Sequence, residues 1–219
     1  MGDLFINNLF RPEDRFFFFA ACLTVVISIV LHELAHGWMA IRLGDDTPIR
    51  AGRMTGNPLV HMGPFSLIAL LIAGIAWGQM PIDPTRMRGR YAEARVAAAG
   101  PAMNLLLAVV ALVALGLLYR FGFAEPGVVW KSNLLDFLHI AGTLNLLLLM
   151  FNLLPVPPLD GAHILANFHR PYAMAMGDPS KQGIFFIAFI FVFAASAVLA
   201  TWAGKLSVAI TVWIATVGV

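Results

Sequence analysis

Arg15 and Arg42 bracket an apolar run whose only acidic or imidazole side chains are His32, Glu33 and His36, within Val30-Leu31-His32-Glu33-Leu34-Ala35-His36-Gly37-Trp38. A run of this length and apolarity fits a membrane-crossing helix, because in lipid a helix alone satisfies its own backbone. Ionisable groups inside such a helix cost about 2.5 kcal/mol or more each, so three together need a reason. His32 and His36 stand four residues apart and therefore project from one helical face, where both can grip a single metal ion. Glu33 sits beside them, placed to take a proton from water activated by such a metal. The pattern implies a metal-dependent hydrolase working within the membrane. A polar cluster that merely ties helices together would use the same residues at an energetic cost that it does not need.

The rest of the composition agrees with a membrane setting. Of 219 residues 60% are hydrophobic and 12% charged, about half the charge of a soluble domain. At roughly 20 residues per span the chain has room for about five to six transmembrane helices and for no soluble domain of ordinary size. The fold class is therefore an all-α polytopic membrane protein. A single cysteine, Cys22, rules out a disulfide framework and a cysteine metal knuckle. A net charge of +2 gives no footing for nucleic acid, so the lipid bilayer is the expected partner surface.

The first span reads as Phe16 to about Leu43. A glycine- and proline-rich stretch, Gly44 to Pro64, carries turn and loop signals. Pro64 to Trp77 is apolar but short for a crossing, which fits a piece that dips into the membrane and returns. After the arginine-rich break Gly78 to Arg90 come spans over Tyr91–Tyr119 and Asn133–Leu154, a polar connector to about Gln182, and an apolar tail. Gly204-Lys205 interrupts that tail, leaving one sound span and a second in question. The chain is expected to form one domain over 1–219, with a core at 16–170 and a transmembrane tail at 183–219.

A catalytic metal needs a third protein ligand. Asp160 is the best placed, in Pro155-Val156-Pro157-Pro158-Leu159-Asp160-Gly161, which cannot continue as regular helix. Non-helical backbone at membrane depth is tolerated where protein or a wet cavity satisfies it, so its carboxylate is expected to face a site. The same Asp-Gly pair could serve as a turn. His163 is the substitute ligand if Asp160 is not one; His61 reads as a loop histidine. Gly100-Pro101 reads as a helix-start or kink device, and Asn104 as an interhelical hydrogen-bonding residue.

His32-Glu33-Leu34-Ala35-His36, Gly100-Pro101-Ala102-Met103-Asn104 and Asn152-Leu153-Leu154-Pro155-Val156-Pro157-Pro158-Leu159-Asp160-Gly161 together resemble the three motifs of the site-2 protease family, the M50 group of intramembrane zinc metalloproteases. Arg53-Met54-Thr55-Gly56-Asn57-Pro58-Leu59-Val60-His61 resembles a loop of its short bacterial and archaeal members. The resemblance implies one Zn2+ per chain held by His32, His36 and Asp160, with Glu33 as catalytic acid/base and Asn104 holding or polarising the substrate or its oxyanion. It implies hydrolysis of peptide bonds within or next to transmembrane segments of membrane proteins. It also implies a membrane re-entrant loop or β-hairpin between the first two core helices, presenting an edge to an extended substrate. Relatives carry His-Ile-Asp-Pro where this chain has His61-Met62-Gly63-Pro64, so no acidic residue acts there, and no PDZ domain is expected.

If the short apolar piece dips and returns, Arg42, Arg50, Arg53, Arg86, Arg88, Arg90, Arg95, Arg170 and Lys181 share the side of the site, against Arg11, Arg15, Arg120, Lys131 and Lys205. That excess puts the active site toward the cytoplasm of a prokaryotic cell membrane and the N-terminus outside. Two other classes use the same residues: a proton- or metal-coupled transporter, and a catalytically inactive scaffold. No paired repeat supports the first, and the intact Glu33 argues against the second.

Overall fold

The structure, a computed structural model, describes residues 4–125 and 127–217. Ten α-helices occur among them: α1 (Asn7–Phe10), α2 (Arg15–Arg42), α3 (Thr47–Arg50), α4 (Pro58–Ala73), α5 (Ala92–Arg120), α6 (Val129–Asn152), α7 (Asp160–Phe168), α8 (Arg170–Met176), α9 (Gln182–Ala194) and α10 (Ser196–Thr216). Four of these, α2, α5, α6 and α10, are long and apolar enough to cross a membrane. Four such helices, not the expected five to six, occur among the described residues; α4 and the stretch ending at Ala194 are apolar but shorter. No strand forms among the described residues, so the β-hairpin alternative between the first two core helices is not realised.

α5 is the central post, packed against α2, α6, α7 and α10. Its Ala108, Leu112 and Leu115 share a core with Leu135 and Leu146 of α6 and Ala203 of α10. Small residues bring the backbones together: Gly142 of α6 admits Leu112, and Gly116 of α5 admits Ile214 of α10. In lipid, where apolar burial adds little between helices, such close contact is what holds a bundle. Charges suit the helix ends, with Glu93 in the first turn of α5 and Arg42 and Arg120 in the last turns of α2 and α5.

The stretch read as a loop up to Pro64 already becomes helical at Pro58. Asn57 caps α4 by accepting from the Leu59 N–H at 3.0 Å, and Pro58 starts the first turn, where its missing N–H is no loss. α4 breaks at Gly63, whose φ of 69° and ψ of 170° suit glycine alone, with Pro64 following. The chain reverses at Gly74 and runs back extended along α4. The Trp77 N–H and carbonyl both engage the Ser66 hydroxyl, at 2.9 and 2.8 Å, and the Gln79 N–H donates to the His61 carbonyl at 3.1 Å.

The returning segment is tied to the end of α2 by Asp45. This fully buried carboxylate accepts from the Thr47 N–H at 2.9 Å and the Asp83 N–H at 2.8 Å. Burial pushes the Asp45 carboxyl up, but the hydrogen bonds from Thr47 and Asp83 outweigh it and hold the group below its ordinary value of 3.8. Because the folded value lies below the unfolded one, the stabilisation is present above the ordinary value and disappears as pH falls through the folded one. Thermal unfolding followed across acidic pH should show the midpoint dropping below about pH 3.8, with a smaller drop in Asp45→Asn. Each bond to a charged acceptor is worth on the order of 1.5–3 kcal/mol.

The tail differs from expectation in one respect. Gly204-Lys205 does not interrupt it; α10 runs straight through, and the break lies at Ala195. Packing explains why. Ala203 and Ser207 flank the pair on the buried face, and Ser207 accepts from the Thr143 hydroxyl of α6 at 2.8 Å. Lys205 points outward, its ammonium 5.3 Å from the Trp202 ring centroid. Two short helices, α7 and α8, lie within the polar connector.

Candidate metal centre

α2 delivers His32 and His36 one turn apart, both buried, about ten and six residues before its Arg42 end. At ~1.5 Å per residue His32 lies about 15 Å inside. α5 contributes from similar depth: Asn104 sits twelve residues after Ala92, about 18 Å into the helix. Asp160 arrives from outside the long helices. After α6 ends at Asn152 the prolines prevent helix, and α7 restarts at Asp160 and packs on α5. The Asp-Gly pair is therefore a helix start that aims a carboxylate, not a turn.

The three side chains converge. His32 Nε2 and His36 Nε2 are 3.0 Å apart, and they lie 3.2 and 3.3 Å from Asp160 Oδ2 and Oδ1. The outward nitrogens are already engaged. His36 Nδ1 is 2.7 Å from the Val96 carbonyl, and His32 Nδ1 is 2.6 Å from Asn104 Oδ1. A carbonyl only accepts, so each Nδ1 carries a proton, and in the neutral imidazole each Nε2 presents a lone pair. Two lone pairs thus face each other and a carboxylate. Asp160 Oδ2 is buried without a hydrogen-bond donor. Such an arrangement repels itself unless a cation sits among the donors. Ligands at zinc bond lengths of 2.0–2.2 Å on a tetrahedron lie about 3.3–3.6 Å apart, slightly more than the spacings here. The residues fit a divalent metal: His32, His36 and Asp160 are a group able to hold one.

Gly100 makes this approach possible. It stands eight residues inside α5, so it is no helix start; a Cβ there would run into Nε2 of both His32 and His36. Pro101 beside it removes the N–H that would bond the Ala97 carbonyl, and the same turn offers the Val96 carbonyl to His36. Glu33 is 7% exposed, and the returning segment passes directly over it. A Cβ on Gly78 would lie 2.6 Å from Glu33 Oε1.

His61 and His163 stay out of the donor group. His61 is buried with Nε2 2.7 Å from the Thr55 carbonyl and so ties the loop to α4, while His163 lies exposed on α7. Gly78 and Asn145 escaped the sequence reading. Gly78 carried no signal beyond a turn, but Asn145 is a polar residue within a span, which could have singled it out.

The profile described as peptidase family M50 matches residues 20–126 and 119–195. The "Putative zinc metalloprotease YwhC" of Bacillus subtilis is 38% identical over 190 residues, covering 82% of this chain and 85% of that protein. The "Putative zinc metalloprotease Rip2" of Mycolicibacterium smegmatis is 34% identical over 171 residues, 75% of this chain and 63% of its own length. The Mycobacterium tuberculosis protein of the same name is 31% identical over 185 residues, 81% of this chain and 67% of its own. No solved structure matches the chain at a significant level. A profile match over most of the length, together with relatives so named, places the chain: it belongs to peptidase family M50, the site-2 protease type of zinc metalloprotease.

Proposed function

We propose that the chain is a single-domain intramembrane endopeptidase over 1–219 that hydrolyses peptide bonds within or next to transmembrane segments of membrane proteins. One observation carries the reading: three lone-pair donors, 3.0–3.3 Å apart, converge beside a buried glutamate within long apolar helices. In this reading His32, His36 and Asp160 hold one zinc ion. Zinc when bound supplies Lewis acidity toward the scissile carbonyl and acidifies water. Glu33 takes the proton of the attacking water on its carboxylate and returns it to the leaving amine nitrogen. Asn104, expected to polarise the substrate, lies at His32, and its contribution runs through that imidazole.

The dip formed by α4 and the return through Gly78 is the re-entrant element. It brings an extended backbone past Glu33, where an unwound substrate segment can find replacement hydrogen bonds. Substrate unwinding matters because helical peptide bonds are shielded by their own hydrogen bonds. The arginines from Arg42 to Arg95, with Arg170 and Lys181, support a site that faces the cytoplasm of a prokaryotic cell membrane. Nucleic acid has no part in this reading.

The test is metal dependence. Purified protein in detergent is offered a panel of transmembrane peptides, before and after chelation, with zinc measured per chain. Cleavage that stops on chelation and returns with zinc is the expected result. Protein that carries and accepts no zinc, or that cleaves equally well without it, would overturn the proposal. Zinc binding without cleavage of any peptide would favour the transporter or inactive scaffold.

A further inference from the structure

The polar chain behind His32 does not end at Asn104. The Asn104 Nδ2 amide donates to Asn145 Oδ1 at 3.1 Å, and Asn145 Nδ2 donates to the Ala141 carbonyl at 2.9 Å, one turn earlier on α6. Asn104 and Asn145 are 1% and 2% exposed. The direction of this chain is set by its far end. The Ala141 carbonyl can only accept, so Asn145 must turn its NH2 toward it and its oxygen toward Asn104. Facing that oxygen, Asn104 must present its own NH2 to Asn145 and its oxygen to His32. His32 Nδ1 must then hold the proton, leaving Nε2 as the lone pair that points at His36 and Asp160.

We infer that Asn145 is a positioning residue for the metal centre, acting through Asn104 to fix the tautomer and orientation of His32. The inference rests on the reading of His32, His36 and Asp160 as a zinc site. It differs from helix–helix adhesion in one respect: an asparagine amide is nearly symmetric in shape, so without Asn145 the Asn104 side chain still fits but is free to turn over. Turned over, it offers an N–H donor to His32 Nδ1, which favours the proton on Nε2 and takes that nitrogen away from the metal. His36 has no such weakness, because its Nδ1 partner is a backbone carbonyl that cannot flip. Partners of this kind affect metal affinity 10–100-fold in other proteins.

The experiment is zinc affinity by competition with a chelator, on purified full-length protein in detergent. Asn145→Leu, which keeps volume and removes the acceptor, should bind zinc 10–100-fold more weakly than wild type. Asn145→Asp, whose neutral carboxyl keeps a donor toward the Ala141 carbonyl and an acceptor toward Asn104, should stay within about threefold of wild type, below the 10–100-fold cost of losing such a partner. In an Asn104→Leu background, Asn145→Leu should cost nothing further. Asn104→Asp combined with Asn145→Leu should recover affinity, since both carboxylate oxygens accept from His32 and no flip matters. That combination also answers the question if Asn145→Leu alone fails to fold. Wild-type affinity in Asn145→Leu, losses that add in full to those of Asn104→Leu, or no recovery with Asn104→Asp would overturn the inference. Wild type that binds no zinc would instead overturn the underlying site.

Discussion

Glu33→Gln should lose peptide hydrolysis by a factor of about 10²–10⁴ or more, the range for removing a positioned general base, while keeping its zinc. The substitution preserves the size of a side chain that is 7% exposed and packed under Gly78, so the fold has no reason to change. What disappears is the ability to accept a proton and pass it on. Zinc should stay because Glu33 is not among the converging donors, which are His32, His36 and Asp160. Cleavage rate on a transmembrane peptide and zinc per chain, measured on one preparation, separate the alternatives. Cleavage within tenfold of wild type would remove Glu33 from the chemistry. Loss of zinc would make it a ligand. A scaffold or transporter would show no cleavage to lose.

Gly100→Ala should abolish metal binding while leaving the helix that carries it intact or better formed. Alanine favours a helix interior over glycine by about 1 kcal/mol, so α5 itself gains. The added methyl, however, would occupy the space of both imidazole Nε2 atoms, and neither ring can move freely because each Nδ1 is held from behind. Zinc affinity should fall by more than the 10–100-fold typical of disturbing an outer partner, and activity with it. The checks are chelator competition for zinc and thermal unfolding of the metal-free protein. Unchanged zinc affinity would mean that the imidazoles do not sit where α5 and α2 place them.

Much of the fold was legible because apolar runs in lipid have one regular solution. Phe16 to about Leu43, Tyr91–Tyr119 and Asn133–Leu154 correspond to α2, α5 and α6 within a few residues at each end. Where the reading went astray, a local signal had two meanings. Asn57-Pro58 marks a turn and equally a helix start, and the structure uses it as the second. Gly204-Lys205 looks like a break by composition, yet the neighbours Ala203 and Ser207 pack against α5 and α6 and carry the helix through. Where a β-hairpin was one expectation, the structure has a helix and an extended return, held by the Ser66 hydroxyl and the His61 carbonyl.

The pairing of His32 with His36, and Glu33 beside them, followed from sequence alone, because residues four apart share a helical face whatever surrounds them. The membrane setting followed as well, from the cost of placing so apolar a chain anywhere else. Tertiary structure alone decided the rest. Asp160 was singled out by its proline-broken segment, but its meeting with the two histidines depends on the reversal after α6 and on α7 packing against α5, neither of which has a local periodicity to announce it. That Gly100 must lack a side chain, and that Asn145 directs Asn104, depends on which faces of α2, α5 and α6 meet and at what depth. Helix geometry is a property of neighbouring residues, whereas the contact of one helix with another is a property of the whole bundle.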